Sequence, residues 1–202
     1  MGKVLVDKYH MNNYCINLDF GIPLLKPNID VKDLPTKYGN LIAPQTAIDI
    51  SKVLNPDLFK LLESCGLFIM YSEIFYTAPN AFTPIHTDEL VPNTDFTKLN
   101  WAFGGKDSIM NWYSVDTSIV RPGVKTTIGT PYVEFALNEC RLIHSEHVGT
   151  PSLVQVGIPH NITNYDEPRY CICVVCYHRS NTGSFRPSTA ASKAALAKYI
   201  IT

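Results

Sequence analysis

Three side chains in this sequence carry the ligand chemistry of a non-haem iron site: His86 and Asp88, in His86-Thr87-Asp88, and His160, in Gly157-Ile158-Pro159-His160-Asn161. Two imidazoles and one carboxylate hold Fe(II) on one side and leave coordination positions open for a cosubstrate and dioxygen. On an extended strand, residues two apart project to the same face, so one strand end offers His86 and Asp88 to a single ion. The third ligand must come from another strand facing the same interior. Leu153-Val154-Gln155-Val156-Gly157-Ile158 reads as a strand running into His160, with Pro159 stiffening the backbone just before it.

Arg169 follows in the same register argument. If the turn Asn164-Tyr165-Asp166-Glu167-Pro168 joins two antiparallel strands about a centre between 164 and 165, position 160 pairs with 169, and paired residues share a face. A guanidinium in the cavity that holds the metal is costly unless an anion meets it. A dicarboxylate that chelates the metal at one end supplies that anion at the other, and its fork matches the guanidinium in shape and charge.

The elements that must position these groups are mainly strands. From Gly66 to Arg179, short apolar and aromatic runs alternate with Gly, Pro, Asn and Asp, at roughly 67–77, 82–87, 97–103, 108–115, 132–137, 140–144, 152–158 and 169–178. Eight such runs predict a double-stranded β-helix, a cupin-like jelly roll. Gly104-Gly105-Lys106-Asp107 reads as the turn of a hairpin, and 116–131 as a long functional loop. Helices flank this core. Asn55-Pro56-Asp57 caps and starts one that Gly66 ends, and Ser188-Thr189-Ala190 opens an Ala-rich one near the C-terminus. One domain is expected over 1–202: strands, loops and a helix in 1–65, the β core in 66–179, and a tail with a helix in 180–202.

The ordered set His86-Thr87-Asp88, Gly157-Ile158-Pro159-His160-Asn161-Ile162-Thr163-Asn164 and Arg169 resembles the HxD…H…R signature of the Fe(II)/2-oxoglutarate-dependent dioxygenases, over about residues 70–178. The resemblance implies that His86, Asp88 and His160 bind Fe(II) and that Arg169 binds the distal carboxylate of 2-oxoglutarate. Tyr76 is similar to a tyrosine that prolyl-hydroxylase-like members place against the cosubstrate, and Asn100 is a candidate for the same surroundings. Cys171 stands where members often carry Ser. The implied reaction decarboxylates 2-oxoglutarate to succinate and CO2 and uses dioxygen to hydroxylate an unactivated C–H bond of a small-molecule or peptide substrate. Trp112 and Arg121 are candidate substrate contacts, Trp112 with Trp101 and Tyr113 as a stacking surface that core packing also explains.

Competing readings remain. A jelly-roll module that binds a sugar or other small ligand fits the fold pattern, and an iron enzyme that takes electrons from its substrate fits the ligand set. His144-Ser145-Glu146-His147 is a rival cluster, although on a strand His147 faces away from His144 and Glu146. Cys173 and Cys176, in a CxxC spacing, fall on opposite faces of a strand and read as buried hydrophobes. Asn161-Ile162-Thr163 matches a glycosylation sequon but abuts the proposed iron.

With Lys+Arg 17 against Asp+Glu 18 the net charge is -1, which provides no global field for nucleic acid or an anionic membrane. The six cysteines are unevenly placed, unlike a disulfide framework. No signal-peptide-like start and no membrane-length apolar run is seen, so a cytoplasmic protein is expected.

Overall fold

The computed structural model describes residues 14–34, 45–47, 49–118, 121–126, 129–149, 151–180 and 183–201. Part of the expected N-terminal loop region, 35–44, and the chain up to residue 13 lie outside them. The strands are β1 Cys15–Asn17, β2 Gln45–Ala47, β3 Leu67–Thr77, β4 Ile85–Thr87, β5 Thr97–Gly104, β6 Ile109–Val115, β7 Val124–Lys125, β8 Pro131–Phe135, β9 Cys140–Glu146, β10 Ser152–Gln155, β11 His160–Thr163, β12 Arg169–Ser180 and β13 Gly183–Phe185. They form two antiparallel sheets. One runs β1-β10-β5-β12-β3-β2 with β13 on β12, and the other runs β7-β8-β4-β11-β6-β9.

Successive core strands alternate between the sheets except at β6 and β9, which pair with each other in the smaller one, and this is the jelly roll the sequence predicts. The membership differs from expectation in two places. The run at 132–137 is not a core strand: β8 belongs to a hairpin with β7 that is inserted before β9 and extends the second sheet beyond β4. The run at 152–158 holds only β10, which ends at Gln155, and β11, which begins at His160 in the other sheet, was not among the expected runs. One run too many and one strand too few left the count at eight. The stretch 116–131 is therefore only partly loop, since β7 and the first residue of β8 lie in it.

The Gly104-Gly105 turn also joins strands of opposite sheets, β5 and β6, so it is an arch rather than a hairpin. Both glycines have positive φ, 68° and 54°, a region that side chains with a Cβ avoid.

Strand alternation divides the core. Ile74, Leu99, Leu153, Ile172 and Val174 face outward from the larger sheet, where they meet helices α1 Ile50–Val53, α2 Pro56–Ser64 and α3 Thr189–Ala195 through Val53, Leu58, Leu62, Ala195 and the adjoining Leu196. Asn55 accepts from the Asp57 amide with Pro56 in the first turn, and Ser188 accepts from the Ala191 amide, as the capping signals predict. Each fully buried aliphatic side chain here contributes about 1.5–3 kcal/mol. The opposite face of the same sheet lines the barrel interior, where Phe96, Met110, Trp112, Val154, Val156 and Val175 pack one end. The other end is polar. Among the described residues no helix is long and apolar enough to cross a membrane.

Candidate metal centre

His86 and His160 meet because β4 and β11 pair antiparallel with these two residues directly opposite. Their rings lie 4.5 Å apart between centroids. Asp88, two residues beyond His86, closes the group: one ligand atom from each of His86, Asp88 and His160 lies within 4.8 Å of the others. The expected assembly is thus present, and it is the one such His/Cys/Asp/Glu cluster found among the described residues.

The imidazoles are held alike. Nδ1 of His86 lies 2.8 Å from the carbonyl oxygen of Pro84, and Nδ1 of His160 lies 2.8 Å from that of Ile158. A carbonyl only accepts, so each Nδ1 carries the hydrogen and each Nε2 turns its lone pair toward the cluster. The His86 Nε2 stands 3.3 Å from Asp88 Oδ1. A lone pair and a carboxylate oxygen at that distance require a cation between them, either a proton or a metal. Accordingly, although burial opposes the charged ring, hydrogen bonding to Asp88 and its charge raise the His86 pKa above the ordinary value. Burial, then repulsion from His86, pushes His160 down to about 4, so that its Nε2 is free.

Two residues not anticipated from the sequence complete the charges. Lys98 Nζ lies 2.9 Å from Asp88 Oδ2. It lies 3.2 Å from Glu73 Oε2, with the Lys98 and Glu73 side chains each only 2% exposed. Burial opposes ionisation of Asp88 and Lys98, but Lys98 followed by the two histidines holds Asp88 well below the carboxylate range, and Asp88 and Glu73 hold Lys98 well above the usual ammonium range.

The cluster stands between two chambers. The inner one, about 70 Å3, is bounded by the ligands, by Phe75, Thr77, Met110, Val156 and Ile162, and at the larger sheet by Asn100, Arg169, Cys171 and Cys173. Arg169 is 3% exposed. Its Nε and the Oδ1 of Asn100 are buried without a hydrogen-bond partner. Among the described residues no carboxylate bridges to Arg169. Cys171, hydrogen-bonded by Cys173 with the sulfurs 3.7 Å apart, is held below the ordinary thiol range by that bond and, against burial, by Arg169. The outer chamber, about 310 Å3, shares Phe75, His86 and Asp88 with the inner one and is walled by the β7–β8 hairpin through Lys125, Thr126, Thr130, Tyr132 and Glu134.

Arg169 reaches the inner chamber by a different route from the one expected. β11 and β12 do not pair; they belong to opposite sheets, so 169 faces Thr77 of β3 and Gly104 of β5, and the guanidinium approaches across the barrel from His160. Asn164 fixes the turn between them by donating to the carbonyls of Thr77, Ala78 and Glu167.

Other candidates are corrected. Tyr76 points away from the chamber: on β3 the odd residues Phe75 and Thr77 face inward, and Tyr76 packs on Tyr170 with ring centroids 5.2 Å apart. Trp112 is 0% exposed, packed in the barrel core, with its indole N–H donating to the Gln155 carbonyl at 2.8 Å, so it offers no surface to a substrate. Trp101 is buried in the outer core, and Tyr113 donates to Asn161. Arg121 lines neither chamber. Its guanidinium lies over Phe135 and reaches Glu139 at 3.3 Å.

In the rival cluster, His144 and Glu146 pair at 3.1 Å while His147 turns to the Ser108 carbonyl, so the three do not converge. Asn161, the sequon residue, is buried in hydrogen bonds with Asn111, Tyr113 and Thr83. Cys173 lines the inner chamber while Cys176 belongs to the outer core, on opposite faces as expected.

Neither a family model nor a curated protein sequence matches this chain. Among solved structures it is similar to pumpkin seed globulin (9% identity, TM-score 0.31), the match covering 64% of this chain and 28% of the globulin's length. It is also similar to oxalate oxidase in complex with the substrate analogue glycolate (14% identity, TM-score 0.34), covering 87% of this chain and 78% of that one. A third is Peruvianin-I, a cysteine peptidase from Thevetia peruviana latex (14% identity, TM-score 0.30), covering 75% and 69%. Likenesses of this extent assign neither family nor chemistry.

Proposed function

We propose that the protein is an Fe(II)- and 2-oxoglutarate-dependent dioxygenase that hydroxylates an unactivated C–H bond. The observation that carries this reading is the buried Arg169, without a carboxylate partner among the described residues, across a small chamber from His86, Asp88 and His160. The donor set fits the metal: two imidazole Nε2 lone pairs with fixed tautomers and one carboxylate oxygen suit Fe(II) and leave positions open.

Charge supports the cosubstrate class. Within the barrel, Glu73 and Asp88 balance Lys98 and Arg169, so a divalent metal leaves two positive charges buried in excess. A dianion with one end on the metal and the other on Arg169 removes that excess; 2-oxoglutarate is such a dianion. When bound, the metal and cosubstrate supply the oxidising chemistry. The chain's own residues do the rest. His86, Asp88 and His160 hold the metal, and Arg169 and Asn100 hold and orient the distal carboxylate. Phe75, Met110, Val156 and Ile162 keep water from the inner chamber. The outer chamber, open to His86 and Asp88, receives the substrate.

Titration calorimetry without oxygen tests this reading. Mn(II)-loaded protein is expected to bind 2-oxoglutarate in preference to glutarate, which lacks the keto oxygen, and metal-free protein is expected to bind neither tightly. Equal affinity for the two diacids, or binding indifferent to metal, contradicts the assignment and favours a jelly-roll ligand-binding module.

A further inference from the structure

A buried lysine between a buried carboxylate and a partly buried one has no role in the ligand set itself, yet it sits against it. Lys98 touches the ligand carboxylate at Oδ2, the oxygen other than the one facing His86: Nζ–Oδ2 is 2.9 Å, and Oδ1 is the atom 3.3 Å from His86 Nε2. On its other side Lys98 is shared with Glu73. Glu73 is committed at both oxygens, to Lys98 through Oε2 at 3.2 Å and to the Thr130 hydroxyl through Oε1 at 2.8 Å. It is therefore held off the metal position while it draws part of the ammonium's charge away from Asp88.

We propose that Lys98 is a positioning residue for the metal-binding carboxylate, claiming one oxygen of Asp88 so that the other alone is presented to the metal, with Glu73 setting how strongly it does so. The proposal rests on the metal-centre reading above. It gives the alternation Lys98, Asn100 on β5 a single purpose, since both side chains face the chambers, one beside the ligand carboxylate and one beside the cosubstrate's expected position. It also connects the substrate side to the metal side through hydrogen bonds, because Thr130 lies on the β7–β8 hairpin that walls the outer chamber.

The test uses metal affinity and geometry rather than turnover. Mn(II) binding is measured by the loss of the free-ion resonance, and Co(II) is added to read coordination number from its visible bands. In Glu73→Gln the ammonium's charge falls wholly on Asp88, and Mn(II) affinity is expected to drop about tenfold. Adding Lys98→Met to that variant removes the competitor and leaves no net change in charge relative to the wild type. Affinity is then expected to return to within about threefold of wild type, while the Co(II) bands weaken as Asp88 engages through both oxygens. A double variant that binds Mn(II) no better than Glu73→Gln, or one with wild-type Co(II) bands, overturns the proposal, since a merely structural pair would make the two losses accumulate. If the wild type binds no Mn(II), the metal-centre reading falls and this assignment falls with it; binding that His160→Ala abolishes keeps the two questions separate.

Discussion

The two sheets that face each other across the polar end of the barrel contribute different things. The smaller one and the loop leaving it hold the candidate ligand atoms, with His86 and His160 opposed across β4 and β11 and Asp88 just beyond β4. The larger one supplies charge and no ligand: Glu73 on β3, Lys98 on β5 and Arg169 on β12. Coordination needs exact convergence of lone pairs, which directly paired residues on one sheet provide. Charge balance acts through space and tolerates the wider gap between sheets. The division predicts that removing one of the three clustered side chains at the smaller sheet cripples metal binding, while removing Arg169 from the larger one leaves the metal and changes what it can recruit; Glu73 and Lys98, acting through Asp88, alter metal affinity only by degree.

The largest effect expected is at His160. His160→Ala removes one of the three ligands, and metal affinity should fall by about 100-fold or more, read by Mn(II) titration. Arg169→Ala should leave metal affinity within about twofold but weaken 2-oxoglutarate by about 3 kcal/mol, ~100-fold, seen by calorimetry on the loaded protein. If Arg169→Ala instead loses the metal, the division between the sheets is wrong.

Gly105→Ala sharpens the same point. A Cβ there would stand 2.7 Å from both Arg169 Cβ and Asn164 Oδ1, at a positive φ. Stability in urea should fall by about 1–3 kcal/mol, and 2-oxoglutarate affinity should fall with metal affinity unchanged. Trp112→Phe removes the donor to Gln155 and should cost about 1–2 kcal/mol of stability with cosubstrate affinity unaffected. The smallest effect is expected at the other histidine cluster. His144→Ala should leave metal affinity within about twofold, because His144 is paired with Glu146 and its neighbour His147 turns elsewhere.

The His86/Asp88 part of the cluster was legible in the sequence through the strand period, whereas His160 was reached by a strand running into it that in fact ends at Gln155 in the other sheet, with His160 opening a strand of its own. Long-range pairing was not legible. Arg169 was placed in the right chamber through a β11–β12 hairpin that does not exist, since a short turn between strands says nothing about whether they share a sheet. Tyr76 failed by parity: its neighbours Phe75 and Thr77 face the inner chamber, and a one-residue offset sends a side chain to the opposite face.

Lys98 and Glu73 escaped notice because a charged residue in a strand reads as the solvent face of an amphipathic sheet, and here the polar face is the barrel interior. The signal was available at one position. Asn100 was expected in the chamber, and Lys98, two residues before it on β5, must share its face.

The most direct test of the account is spectroscopic. Fe(II) and then 2-oxoglutarate are added to the protein without oxygen, and the visible metal-to-ligand charge-transfer absorption of a chelated 2-oxo acid is followed, with His160→Ala and Arg169→Ala alongside. The account predicts a band in the wild type, none in His160→Ala, and in Arg169→Ala the same band at about 100-fold higher cosubstrate concentration. Iron binding with no band at any 2-oxoglutarate concentration would contradict it.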